Sequence, residues 1–327
     1  MTSLKLSAAL VCTAGAAMAQ AKPELHVYTY DSFVAEWGPG PVIEAAFEEV
    51  CNCDLVFTGA GDGAALLARV QLEGARSKAD VVLGLDTNLT TRAADTGLFA
   101  EHGINAELDI PIVWDDARFL PFDWGYFAFV HAADFTAPTN FRDLAESDVR
   151  IIIQDPRSST PGLGLMYWVK TAYGDEAATI WAGLSDNIVT VTKGWSEAYG
   201  LYLEGEADMV LSYTTSPSYH IIAEGDTSHT AALFDEGNYM QIEVAGRLAA
   251  TDQPELADMF LNFMLGEAFQ SAIPTTNWMF PAVVPAAGLP EGFAEPLNAE
   301  ASLILSADEA EAFRVEALAE WQTALSQ

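Results

Sequence analysis

The chain has 327 residues, half of them hydrophobic, and carries 47 acidic against 14 basic side chains, a formal net charge of -33. The length is large for one hydrophobic core and comfortable for two. The acidic balance argues against nucleic acid or anionic lipid as a partner, because both require a basic surface. It does not identify a cationic ligand, since charges beyond a screening length of about 8 Å contribute little in physiological salt.

The first 19 residues differ in composition from the rest. Lys5 is their one charged residue, the following run is apolar, and residues 17–19 have the A-x-A form. These features predict a secretory signal peptide cleaved before Gln20, and hence a periplasmic protein. The apolar core is shorter than the roughly 20 residues of a spanning helix. A lipoprotein is the weaker alternative, because Val11 precedes Cys12 where a small residue is expected.

Strands and helices alternate in the first part of the chain. The period-two run ELHVYTY predicts a strand, and Gly38-Pro39-Gly40 with Pro41 predicts the start of an amphipathic helix. The runs CDLVFT, AALLARVQLEGAR and ADVVLGL then predict a strand, a helix and a strand. This order is typical of a parallel sheet covered on both faces.

A long aromatic strand, FLPFDWGYFAFVH (residues 119–131), is predicted to cross into a second lobe. The alternation restarts after it with VRIIIQD, TPGLGLMYWVKTAYG, NIVTVT, SEAYGLYLEGE and ADMVLSYT, and ends near the strand NYMQIEVAGRLAA. The remaining segment is predicted to be helical and to pack back on the first lobe.

The fold class predicted is therefore α/β with two lobes joined by two crossing strands. The predicted boundaries are a signal peptide at 1–19, a first lobe at 20–122, a second lobe at 123–240 and a return to the first lobe at 241–327. Open α/β sheets bind ligands outside the carboxyl ends of their strands, so the loops of both lobes are expected around one cleft.

Cys51 and Cys53 remain after signal cleavage, in the sequence CNC. They lie far from any histidine cluster, which argues against a zinc site. A short disulfide is plausible in an oxidising compartment, and two reduced thiols are nearly as plausible.

The loop GAGDGA (Gly59–Ala64) has the glycine spacing of a dinucleotide-binding motif. Its strand is not the first of the fold, and a secreted protein has little nicotinamide cofactor to use. The favoured interpretation is a tight loop that presents the Asp62 carboxylate and the Gly63 backbone to the cleft. An ordinary helix-capping Asp62 is the alternative.

Two further loops carry hydroxyl groups. In QDPRSSTPGLG, Thr160 is the predicted N-cap before Pro161. The hydroxyl groups of Ser158 and Ser159 and the free N–H groups at the helix start either bind an anion or only cap the helix. In SYTTSPSYH, the strand is followed by Tyr213, Thr214, Thr215 and Ser216.

Catalytic and metal sites are not predicted. Tyr213 and Tyr219 could bind ferric iron as phenolates, but no suitable carboxylate or histidine set stands nearby in the sequence, so stacking and hydrogen bonding are favoured. The motifs G-x-S-x-G and H-E-x-x-H are absent, and the five histidines show no common pattern. A secreted hydrolase stays open as an alternative, because sequence order alone does not exclude a catalytic triad.

Blocks throughout the mature chain resemble the periplasmic thiamine-binding proteins of thiamine ABC importers, and more broadly the type II periplasmic binding proteins. The blocks include VYTYDSF, SKADVVLGLD, PFDWGYFAFV, QDPRSSTPGLGL, VTVTKGWSEAYGL, VLSYTTSPSYH and IPTTNWMFPA. The resemblance implies a monomeric receptor for thiamine or its phosphates that needs no cofactor and docks on a membrane permease with a cytoplasmic ATPase. Receptors for ferric iron or a polyamine, or a secreted hydrolase of thiamine or of phosphate esters, are the alternatives.

The same resemblance implies a ligand site between the lobes, made of Tyr30, Asp62, Gly63, Ser159, Thr160, Trp195, Tyr213, Thr214, Thr215, Ser216, Tyr219 and Trp278. Aromatic faces attract a permanent cation such as a thiazolium ring. We therefore expect Trp195, Tyr213 and Tyr219 to form a cage, with core packing as the alternative. Core positions are expected for Trp168, Trp181, Tyr199 and Tyr202, whereas Trp37 and Trp124 fit either role.

Overall fold

The computed structural model describes residues 22–326, so the predicted signal peptide and Cys12 lie outside the described residues. The strands are β1 Glu24–Thr29, β2 Asp54–Gly59, β3 Val81–Asp86, β4 Leu120–Ala132, β5 Ile151–Gln154, β6 Ile188–Thr192, β7 Met209–Tyr213, β8 His229–Ala231, β9 Asn238–Arg247, β10 Phe280–Pro281 and β11 Ser302–Leu303. The helices are α1 Gly40–Cys51, α2 Gly63–Glu73, α3 Thr90–Asp95, α4 Phe141–Ala145, α5 Thr160–Tyr173, α6 Ala177–Leu184, α7 Trp195–Leu203, α8 Ser216–Tyr219, α9 Pro254–Met264, α10 Glu267–Gln270 and α11 Ala307–Leu325. Between residues 22 and 326 the chain offers no helix with the length and apolar character of a membrane span.

The strands follow the order β2-β1-β3-β9-β4-β7-β5-β6. In the first lobe, β1 runs parallel to β2 and β3. In the second lobe, β5 runs parallel to β6 and β7. The mixed α/β fold predicted from the alternation is confirmed.

The two long strands β4 and β9 connect the lobes. The first half of β4 pairs with β9, and its second half, from Phe127 to His131, pairs with β7. Strand β9 in turn pairs with β3 of the first lobe. The crossings are therefore hydrogen-bonded strands, as the sequence predicts, and the cleft lies beside them.

Local sequence explains where the first helix begins and ends. Pro41 occupies its first turn, where a missing N–H costs nothing, and Asn52 ends it in the left-handed conformation. Cys51 and Cys53 form a disulfide around this end. Of the two alternatives left open by the sequence, the structure has the oxidised one.

The C-terminal helix α11 differs from the expectation that the final segment packs on the first lobe. It contacts α5 and α6 of the second lobe as well as α3, whereas α9 and α10 pack against α1 of the first lobe. The buried Lys170 of α5 donates to Glu316 and Glu320 of α11, both at 2.8 Å. A buried ammonium group needs such partners, because its desolvation is costly.

Candidate ligand-binding cleft

A cavity of about 540 Å³ lies between the two lobes beside the crossing strands. Its size is typical of a small-molecule site. Its wall is formed by Tyr30, Ser32, Trp37, Asp62, Thr160, Pro161, Trp195, Ser196, Tyr199, Gly200, Leu203, Tyr213, Ser216, Tyr219, Ala223, Gln241, Glu243, Thr275, Asn277, Trp278 and Met279. Both lobes contribute aromatic rings, and the acidic groups come from the first lobe and from β9.

Trp195 is held in one orientation on the wall of the second lobe. It is the first residue of α7, its indole Nε1 donates to the Ser212 hydroxyl at 2.7 Å, and its ring stacks on Tyr199 with centroids 5.1 Å apart. The ring of Trp37 approaches it from the first lobe, with centroids 6.2 Å apart. Tyr199, expected in the core, is buried but also lines the cavity.

Tyr213 and Tyr219 lie on the same cavity. The ring of Tyr213 packs on Phe127 with centroids 5.2 Å apart, and its hydroxyl accepts a hydrogen bond from Gln241. Tyr219 donates to Glu224 at 2.9 Å and meets Trp278 edge to face, with centroids 5.3 Å apart. The three rings proposed as a cage therefore line one cavity, and Trp278 joins them.

A buried acidic network lies at the first-lobe side of the cavity. The Tyr30 hydroxyl donates to Glu243 at 3.0 Å, and the Asn277 amide donates to Tyr30 at 2.8 Å and to Asp123 at 2.6 Å. Burial raises the pKa of Asp123, and burial followed by the charge of Asp123 raises the pKa of Glu243 well above its usual range. A cation in the cavity would favour the ionised form of these carboxyl groups.

Asp62 connects the lobes. Its carboxylate accepts a hydrogen bond from the Ser159 hydroxyl at 2.8 Å and one from the Trp195 backbone N–H at 3.1 Å. The Gly63 N–H donates to Thr160 Oγ1 at 3.1 Å. Burial raises the pKa of Asp62 to about 6, although the two hydrogen bonds oppose the shift. We call these four contacting residues of the two lobes, Asp62, Gly63, Ser159 and Thr160, the interlobe latch.

The geometry of the latch argues against the capping alternative for Asp62 and corrects the predicted N-cap at Thr160. Asp62 stands at the N-cap position of α2 but makes no side-chain capping bond there. The N-cap of α5 is Ser159, not Thr160, and its side chain is likewise used across the cleft instead of on its own helix. The Ser159 hydroxyl, which the sequence places in a possible anion site at the start of α5, thus donates to the Asp62 carboxylate.

The sequence-predicted site residues divide into three groups. Those that line the cavity are Tyr30, Asp62, Thr160, Trp195, Tyr213, Ser216, Tyr219 and Trp278. Gly63 and Ser159 lie behind the wall in the latch. Thr214 and Thr215 are buried away from the cavity; the Thr215 hydroxyl faces Met279 Sδ at 3.9 Å, and the Thr214 N–H donates to Tyr126 of β4. The Thr214 N–H extends the pairing of β7 with β4, and Thr215 is the N-cap residue of α8, so neither residue contributes a hydroxyl group to the cavity wall.

Sequence reasoning missed the polar residues supplied by β9. Gln241 and Glu243 line the cavity and stand two residues apart in the strand NYMQIEVAG, among mostly apolar neighbours. Because alternate residues of a strand share a face, this polar pair could have indicated the cleft side of β9. Asn277 was also missed, although it directly precedes the predicted Trp278.

Comparison with known proteins agrees with this architecture. The model of the bacterial extracellular solute-binding protein family matches residues 35–271. The thiamine-binding periplasmic protein of Escherichia coli K12 is 52% identical over 322 residues, covering 97% of both chains.

Solved structures give the same result. The structure of a periplasmic thiamin binding protein is 51% identical, with a TM-score of 0.90, and the match covers 94% of this chain and 97% of the other. Iron-bound HitA from Pseudomonas aeruginosa is 21% identical, with a TM-score of 0.75 over 92% of this chain and 99% of the other, and therefore shows the shared fold alone. The chain belongs to the bacterial extracellular solute-binding proteins, in the family of the thiamine-binding periplasmic proteins.

Proposed function

We propose that the protein is a periplasmic receptor that captures thiamine, or a thiamine phosphate, in the cleft and delivers it to an ABC importer. The observation that carries this proposal is a cavity that combines the rings of Trp195, Tyr213, Tyr219 and Trp278 with buried carboxyl groups, in a chain 52% identical to a thiamine-binding periplasmic protein. Transport requires a membrane permease and its ATPase as partners. Capture needs no cofactor, and we propose a monomer.

The chemistry of the cavity suits thiamine. A thiazolium cation over an aromatic face gains about 0.5 to 2 kcal/mol per desolvated ring, and several rings are available here. Asp62 and Glu243 place two carboxyl groups in the same wall, and a bound cation would favour their ionised form. The uncharged aminopyrimidine ring adds stacking and apolar burial.

The lobe boundaries at 20–122, 123–240 and 241–327 form part of the proposal, except that α11 packs mainly on the second lobe. In this account the lobes rotate about β4 and β9, and the interlobe latch forms when the cleft closes. The ligand is bound and released unchanged, so the protein is a receptor and not an enzyme.

The iron alternative receives no support from the tyrosines. The Tyr213 hydroxyl is bonded to Gln241, and the Tyr219 hydroxyl to Glu224, so the two hydroxyl groups are directed to different partners.

Equilibrium dialysis followed by product analysis tests the receptor. The ligand-stripped protein should retain one thiamine per chain, and chromatography after prolonged incubation should recover thiamine and its phosphates intact. Catalytic loss of thiamine or release of phosphate would mean that the protein is an enzyme and not a receptor. Retention of spermidine or ferric ion, without retention of thiamine, would contradict thiamine as the ligand and assign the cleft to the solute that is retained.

A further inference from the structure

Two histidines that are nine residues apart in the sequence meet in the second lobe, and neither belongs to the wall of the ligand cavity; His220 is buried and His229 is partly exposed. The rings of His220 and His229 stack with centroids 4.1 Å apart. Together with Asp226 they offer three ligand atoms that lie within 4.8 Å of one another. We propose that His220, His229 and Asp226 bind a divalent transition-metal ion of the zinc type.

The orientation of the two imidazoles supports the site. The hydroxyl of Tyr199 lies 2.9 Å from Nε2 of His220, and the hydroxyl of Tyr202 lies 2.8 Å from Nδ1 of His229. Each ring thus has one nitrogen fixed by a tyrosine. Metal-binding histidines are usually held in this way, by a hydrogen bond from the nitrogen that does not bind the metal.

The other nitrogen of each ring faces a carboxylate. Nδ1 of His220 lies 2.8 Å from Glu224, and Nε2 of His229 lies 3.8 Å from Asp226. Two imidazole nitrogens with carboxylate oxygens form a ligand set that suits Zn²⁺. Metal binding at these nitrogens would leave the tyrosine-facing nitrogens protonated, so that they donate to the hydroxyl oxygens.

Local structure brings these residues together. His220–Glu224 is a π-helical segment that ends at Gly225, whose φ of +68° is in the left-handed region that favours glycine. The Asp226 N–H then donates back to the His220 carbonyl, and the Asp226 carboxylate accepts two hydrogen bonds from Ser228. His229 begins β8, which pairs with β4. The ligands are therefore held by backbone hydrogen bonds.

The two tyrosines belong to one face of a helix. Tyr199 and Tyr202 stand three residues apart in α7, a spacing that places side chains side by side. The cluster is also accessible: the side chains of Glu224 and Asp226 are about half exposed, whereas that of His220 is 2% exposed. An ion can reach the carboxylates from solvent while the imidazoles stay ordered.

Zinc titration of the full mature chain tests the proposal. The protein is stripped with a chelator and titrated with ZnCl₂ in competition with a chromophoric chelator, without thiamine, so that the result does not depend on the proposed transport function. We expect one Zn²⁺ per chain with a Kd below about 1 µM, a free energy of about 8 kcal/mol.

Four variants locate the ion. His229→Gln should weaken zinc binding by about 30-fold or more, and Asp226→Asn by a smaller factor. Tyr202→Phe keeps all three ligands but removes the hydroxyl at His229, and should weaken binding by about tenfold, as is typical for the loss of such an orienting bond. His26→Gln removes a surface imidazole that lies beside Glu24 in the first lobe, and should leave zinc affinity unchanged.

Thermal unfolding of each stripped variant checks that the fold is retained. Saturable binding that is equally strong in the wild type and in His229→Gln would overturn the proposal, as would the absence of stoichiometric binding below about 100 µM Zn²⁺. If His229→Gln does not fold, Tyr202→Phe and Asp226→Asn decide alone, and unchanged affinity in both would contradict the site.

Discussion

The carboxylate of Asp62, in the first lobe, accepts a hydrogen bond from the Ser159 hydroxyl, in the second lobe, at 2.8 Å. The same carboxylate accepts the backbone N–H of Trp195, the residue whose ring forms one wall of the cavity. One acidic side chain therefore links lobe closure to the position of a cavity ring. A hydrogen bond to a charged group contributes about 1.5 to 3 kcal/mol, which is enough to affect an opening equilibrium.

Ser159→Ala should weaken closure and thiamine binding together. The variant leaves the Asp62 carboxylate with one hydrogen bond fewer, so the closed form becomes less populated and the apparent Kd should rise about tenfold. Calorimetric titration measures the affinity, and small-angle scattering of the unliganded protein should give a larger radius of gyration. Ser271→Ala is the matched control, because Ser271 also donates to a carboxylate, that of Glu267, but on an exposed surface. Equal affinities in both variants would contradict the latch.

The ring of Trp195 should matter more than its indole N–H. Trp195→Ala removes a cavity ring stacked on Tyr199, and we expect thiamine affinity to fall about 30-fold or more, whereas Trp195→Phe should lose less than about tenfold. Calorimetry on both variants gives the comparison, and circular dichroism checks the fold. Equal losses for Ala and Phe would assign the effect to the Ser212 hydrogen bond instead of the ring.

Thiamine affinity should rise with pH. Burial raises the pKa of Asp62 to about 6, and the pKa values of Asp123 and Glu243 are raised too. A bound cation stabilises the ionised carboxylates, so binding releases protons and is favoured as pH rises through the raised pKa values, from about 5.5 to 7.5. Titration in buffers of different ionisation enthalpy measures the protons released. Asp62→Asn should reduce that number, and an affinity that falls with rising pH would contradict the assignment.

Asp62 should also affect the stability of the unliganded protein. Its folded pKa of about 6 lies above its ordinary value, so between those values the folded state holds more protons than the unfolded state. The free energy of unfolding should therefore fall as pH rises from about 4 to above 6. Asp62→Asn removes this contribution, and the difference between wild-type and variant melting temperatures should grow with pH. A difference independent of pH would contradict the raised pKa.

Lys170 should be needed for docking of the C-terminal helix. Lys170→Met leaves Glu320, which is 13% exposed, without its cation, and should lower the free energy of unfolding by about 3 kcal/mol. Denaturant unfolding measures this. Arg150→Met breaks the exposed pair with Asp208 and should cost less than about 1 kcal/mol. Similar losses in the free energy of unfolding for the two variants would mean that the buried Lys170 contacts stabilise the fold no more than an exposed ion pair does.

The features that the sequence predicts well are local or periodic. Patterns within about 15 residues predict the alternation of strands and helices and the crossing strand at residues 119–131. They also predict the aromatic residues at the end of β7 and just after it. The buried Trp168 and Trp181 follow from helical spacing in the same way. Trp124 proves to be buried, stacked on Phe280, and Trp37 lines the cavity; their neighbours along the chain do not distinguish the two roles.

The features that the sequence does not predict depend on partners far away in the chain. The position of α11 depends on Lys170, about 150 residues before its glutamates. The use of Asp62 and Ser159 across the cleft, instead of as helix caps, depends on how the lobes meet. The histidine pair forms because the π-helical segment and β8 bring His220 and His229 back to α7. Local propensity contains none of this information.

Calorimetric titration of the ligand-stripped wild-type protein with thiamine, at pH 7.5 and moderate salt, decides whether the cleft binds thiamine. We expect saturable binding of one thiamine per chain with a Kd below about 1 µM, an affinity of about 8 kcal/mol or more. No heat and no saturation up to millimolar thiamine would contradict the assignment of the cleft to thiamine.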